Sequence, residues 1–60
     1  MTVSDVYIYC RNLDVFSNIV IIKDDEIIYD GDYLDLDFSI EMKQIVGFSI
    51  RDKDLYCVLK

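Results

Sequence analysis

This 60-residue chain has no histidine, no proline and no tryptophan, and only two cysteines and two glycines. Without an imidazole, Cys10 and Cys57 lack the base that thiol catalysis requires, and two thiols far apart in sequence do not have zinc-ligand spacing. One cysteine pair is not the dense disulfide framework of a small secreted domain. Each sits in an apolar run, which reads as a buried, reduced thiol. No apolar stretch approaches the roughly 20 residues needed to cross a bilayer. The first residues carry neither the basic flank nor the apolar core of a signal peptide. The expectation is a cytoplasmic protein with no membrane contact and no catalytic activity.

Basic residues are also missing between Lys23 and Lys43, and there the chain carries eight carboxylates: Asp24, Asp25, Glu26, Asp30, Asp32, Asp35, Asp37 and Glu41. Twelve acids and six bases give a net charge of −6. That total is a −8 segment set in a remainder of four acids against six bases. Direct nucleic-acid binding needs a basic patch, and Arg11, Lys23, Lys43, Arg51, Lys53 and Lys60 are scattered and outnumbered. Calcium binding fails on its own pattern. In an EF-hand register starting at Asp30, Asp32 and Glu41 fall at the third and twelfth positions, but Leu34 and Asp35 occupy the fifth and sixth, where a ligand and a glycine are required. No cofactor or metal is expected.

What is present is apolar: 53% of residues, enough to exclude disorder on composition. Sixty residues form one domain, residues 1–60, with a thin stability margin that disulfides, metals or a partner subunit ordinarily supplement. With the first two absent, the partner subunit remains. Thr2-Val3-Ser4-Asp5 reads as a reciprocal helix cap, and Val3, Val6, Tyr7 and Cys10 then recur on one helical face, with Leu13 extending the stripe. This predicts a helix over 3–12, against a competing strand reading of the β-formers Val6 to Cys10. A connection follows over 14–17, with Phe16 packed inward.

Residues 18–23 and 26–30 read as two strands joined by a tight Asp24-Asp25 turn, since Asp tolerates positive φ. Gly31 marks a turn or bulge. Leu34, Leu36, Phe38, Ile40 and Met42 alternate with polar residues at a period of two, which reads as a further strand, with a one-turn helix near Ser39–Gln44 as the alternative. Residues 45–51 continue as a strand with Val46, Phe48 and Ile50 on one side. After an Asp52–Asp54 turn, 55–59 forms the last strand. The fold class is α+β, a short N-terminal helix packed on a small, mainly antiparallel sheet of about four strands. The strands at 19–22, 27–29 and 55–59 are apolar at successive positions and want cover on both faces. One short helix covers only one, so either the sheet curls over itself or a second subunit covers the far face, and a homodimer is expected.

Asp30, Asp32, Asp35 and Asp37, interleaved with Tyr29 and Tyr33, are the candidate partner-binding residues, facing a basic protein surface. On strands, alternate carboxylates would repeat every ~6.6–6.8 Å, close to the phosphate repeat of extended nucleic acid. The run Ile27-Ile28-Tyr29-Asp30-Gly31-Asp32-Tyr33-Leu34-Asp35-Leu36 resembles short acidic proteins of uncharacterised function encoded by phages and mobile elements of Gram-positive Firmicutes. The opening Thr2-Val3-Ser4-Asp5 and the closing strand pair are similar too. That resemblance implies a phage or mobile-element accessory protein acting as a non-enzymatic interaction module. It carries the alternative of a nucleic-acid mimic inhibiting a host defence enzyme, of anti-CRISPR or anti-restriction type.

Overall fold

The computed structural model describes residues 1–13 and 16–60; Asp14 and Val15 of the 14–17 connection lie outside the described residues. The chain forms helix α1 (Val3–Leu13), strands β1 (Asn18–Lys23) and β2 (Glu26–Gly31), a 3-10 turn (Tyr33–Asp35), a one-turn helix α2 (Phe38–Glu41), and strands β3 (Ile45–Arg51) and β4 (Asp54–Leu59). The strand order is β2-β1-β4-β3. Both hairpins are antiparallel, and they join through a parallel β1–β4 pair at the centre of the sheet. This is the α+β class expected, with four strands.

Helix α1 starts where its capping signal lies. The Thr2 amide donates to Asp5 Oδ2 at 3.0 Å, and the Asp5 amide donates to Thr2 Oγ1 at 3.2 Å. Two otherwise orphaned amides are satisfied in one exchange. Hydrogen bonds from the Thr2 amide and then the Thr2 side chain hold the Asp5 carboxyl below the usual carboxylate range. Val3, Val6 and Cys10 are buried on the inner face, whereas Leu13 is exposed and does not extend the stripe. The β1–β2 turn has positive φ at both Asp24 (52°) and Asp25 (64°), the conformation whose twist matches a hairpin.

Residues directly paired across strands share a sheet face, and neighbours in sequence alternate. On the near face, Ile19, Ile21, Leu55, Cys57 and Leu59 pack with Val3, Val6, Cys10 and Leu36 into one core. Phe16 packs against it, as expected. On β3 the expected face is out of register. A bulge sets both Val46 and Gly47 against Val58, so Ile45, Phe48 and Ile50 join the near face and Val46 stands out of the core.

The 34–42 alternation is not a strand. Asp32 accepts from the Leu34 amide at 3.0 Å and Asp37 from the Ser39 amide at 2.8 Å, each bond opening a helical turn. These local caps outcompete a ladder. Of the supposed apolar face only Leu36 is buried; Leu34, Phe38 and Met42 are exposed and Ile40 is half-buried. Gly31 ends β2, while the β1–β2 bulge falls at Ile27–Ile28. Gly31 is small for reasons of space: a Cβ there would stand 3.1 Å from the Tyr29 hydroxyl.

Candidate functional site

Far-face side chains form three rows across the sheet. The first runs Ile27 and Ile28, Ile22, Val58, then Val46 and Gly47; the second Asp30, Val20, Tyr56, Ser49; the third Asn18, Asp54, Arg51. One end of this face is apolar and the other polar. Ile27, Ile28 and Val46 are 58%, 45% and 66% exposed, and among the described residues no helix packs over them. Val20 is buried but belongs to no part of the core under α1. Among the described residues the exposed part of this face is thus its apolar end at Ile27, Ile28 and Val46, with Ile22 and Val58 half-buried between them.

The acidic residues lie along the β2 edge and the crossover that follows it. Asp30 accepts from Asn18 Nδ2 at 2.6 Å. The Asp32 carbonyl accepts the Tyr29 hydroxyl at 2.6 Å, while its carboxylate caps the 3-10 turn. Asp37 caps α2 through the backbone and side chain of Ser39, which lower its pKa. Glu41 accepts from the Tyr33 hydroxyl at 2.5 Å. With Asp24 and Asp25 in the hairpin turn and Asp35 in the 3-10 turn, seven of the eight acids occupy turns, caps or bonds of the fold. The segment is therefore a folding signal as well as a charge. No two of Asp30, Asp32, Asp35 and Asp37 share a strand, so the regular carboxylate repeat is not formed.

Burial, and then the fields of Asp35, Asp32 and Asp30, raise the ionisation of Tyr29 above its ordinary value. Asp30 and Tyr29 nevertheless lie on opposite faces of β2, paired with Val20 and Ile21 respectively. The tyrosines serve the fold. Tyr29 packs against the core, and Tyr33 stacks on Tyr7 with centroids 3.6 Å apart and planes 7° apart. Burial and the Glu41 bond raise the Tyr33 pKa. Tyr7, Phe16 and Tyr33, with Asp32 at the edge, line a recess of about 300 Å³ that sequence reasoning missed, because only the tertiary fold joins residues 7, 16 and 33.

The two thiols are buried and in no disulfide. Burial, and then the nearby Cys10, push the Cys57 thiol up to about 12, the opposite of activation for nucleophilic work. Among the described residues no group of three metal-ligating side chains converges, and no helix is long and apolar enough to cross a membrane. No family model, curated protein or solved structure matches this chain.

Proposed function

We propose that this protein is a small, non-enzymatic, cytoplasmic protein-interaction module that self-associates as a homodimer and serves as an accessory protein of a phage or mobile element. The observation that carries this reading is the apolar row in which Ile27, Ile28 and Val46 are exposed and Ile22 and Val58 between them half-buried. Such a row, rimmed by polar residues, is the signature of an interaction surface. The acids of the β2 edge and the crossover after it supply a second contact, to a basic protein surface, and the resemblance of residues 27–36 supports the accessory role.

Sedimentation over a concentration series tests self-association. Ile27→Lys and Val46→Lys, both at exposed positions, are expected to hold the protein monomeric with its circular dichroism unchanged. Equal dimerisation of wild type and both variants would sink the reading. The acidic contact is tested by affinity capture with Glu26→Gln/Asp30→Asn/Asp35→Asn at low and physiological salt. Binding through these acids weakens with salt and with the substitution.

The nucleic-acid-mimic alternative is favoured by one observation, the eight carboxylates that lie between Lys23 and Lys43 with no intervening base. A captured enzyme that released this protein when given its own nucleic acid would decide for it.

A further inference from the structure

We infer that the homodimer is a face-to-face sheet pair whose twofold axis runs parallel to the strands, with Asp30 of each copy engaging Arg51 of the other. This deepens the self-association proposed above and rests on it.

Two twofold arrangements lay one far face on another with the strands of the two sheets aligned. An axis across the strands stacks each strand on its own copy and reverses the row order. The apolar row then covers the polar row, and Asp30 in the middle row lies over Asp30 of the partner subunit, like charge on like charge. An axis along the strands keeps the rows and exchanges the strands. In that arrangement β1 lies over β4 and β2 over β3. Ile22 then meets the partner's Val58 and Val20 the partner's Tyr56. Ile27 and Ile28 come over the bulge at Val46 and Gly47, where a Gly47 Cβ would meet nothing within 4 Å, so there is room to receive them. Asp30 comes over Ser49, beside Arg51, whose guanidinium carbon leans back to 5.9 Å from the Tyr56 ring in the middle row. Shape and charge select the same axis.

Area sets the strength. Four strands about 4.8 Å apart and six residues at about 3.3 Å give a face of roughly 400 Å² per copy. Two such faces fall short of the roughly 1,200–2,000 Å² of a stable interface, so the dimer is reversible and forms at high protein concentration.

A charge exchange tests the geometry. Each dimer contains two Asp30–Arg51 contacts. Asp30→Lys alone and Arg51→Glu alone turn both repulsive, and each weakens dimerisation by about tenfold. An equimolar mixture of the two variants restores both contacts and forms a heterodimer at near wild-type strength. The double variant Asp30→Lys/Arg51→Glu recovers likewise. Arg11→Glu, on α1 at the near face, changes the net charge by two without touching this face and is expected to leave dimerisation within about twofold.

Sedimentation velocity of each sample, up to millimolar protein, reads the outcome. If wild type dimerises but mixing brings no recovery, the axis is wrong while self-association stands. If wild type stays monomeric throughout, both fall. Circular dichroism of each variant confirms that a change in association is not a change in fold.

Discussion

Replacing Cys57 by Ala should flatten the alkaline loss of stability. Cys57 has no solvent exposure and sits beneath α1 on a central strand. Its thiol ionises near 12 in the folded state against an ordinary 9.0, because burial disfavours the thiolate. The sign follows from linkage. Below pH 9 both states hold the proton, and stability is independent of this group. Between 9 and 12 the unfolded chain has released it while the folded chain keeps it, so stability falls by about 1.4 kcal/mol per pH unit. From pH 9 to 11 that integrates to about 2 kcal/mol, since the unfolded thiol is only half ionised at pH 9, and this is a large part of the ~3–9 kcal/mol expected for sixty residues.

Tyr29 and Tyr33 are also raised and act in the same direction at higher pH. The comparison must therefore be wild type against Cys57→Ala, in which the tyrosine contribution cancels. The assay is urea unfolding followed by circular dichroism, under reductant, at pH 7, 9, 10 and 11. The variant starts less stable at pH 7, having lost a buried sulfur, and the gap closes as pH rises. A gap that stays constant from pH 7 to 11 would refute the argument that Cys57 folds as a protonated thiol.

At the acid end, Asp5 and Asp37 have lowered pKa values in the folded state, so their contributions are complete above the unfolded value of 3.8 and vanish as pH falls through the folded one. Melting curves between pH 2 and 6 should fall less steeply for Asp5→Asn and Asp37→Asn than for wild type. Thr2→Ala removes half of the reciprocal cap and should cost about 0.5–2 kcal/mol in urea titrations. Asp25→Gly relieves a left-handed backbone at φ 64° and should raise the melting temperature, by a few degrees for a gain of roughly 0.5–1 kcal/mol.

Legibility in the sequence followed the range of the forces. The Thr2–Asp5 cap and the Asp24-Asp25 turn are complete within four residues, so α1 and the first hairpin could be read directly. The central strands announced themselves by apolar residues at successive positions. Residues 33–42 misled because Asp32 and Asp37 each capture an amide two positions ahead. That arrangement leaves the polar–apolar alternation intact while abolishing the strand. The extra residue at Val46 inverts the face of half of β3, and no local pattern marks it. At the candidate site, the charge was visible but its internal employment was not. Tyr33 needs Tyr7 and Glu41, and Tyr29 needs the Asp32 carbonyl; only the folded crossover supplies them. The Val46 contribution to the apolar row was missed for the same reason as the bulge.

The parallel β1–β4 pair has a kinetic meaning. Each hairpin closes over two residues, but Asn18 meets Asp54 only after the intervening 19–53 has looped back. The loop-closure cost falls on the step that brings the two halves of the sheet together. The halves are therefore natural fragments, each holding one hairpin, with α1 on the first. A cut beside Leu34, 85% exposed in the crossover, turns that intramolecular search into an encounter between two chains. Folding of the cut protein would then depend on its concentration.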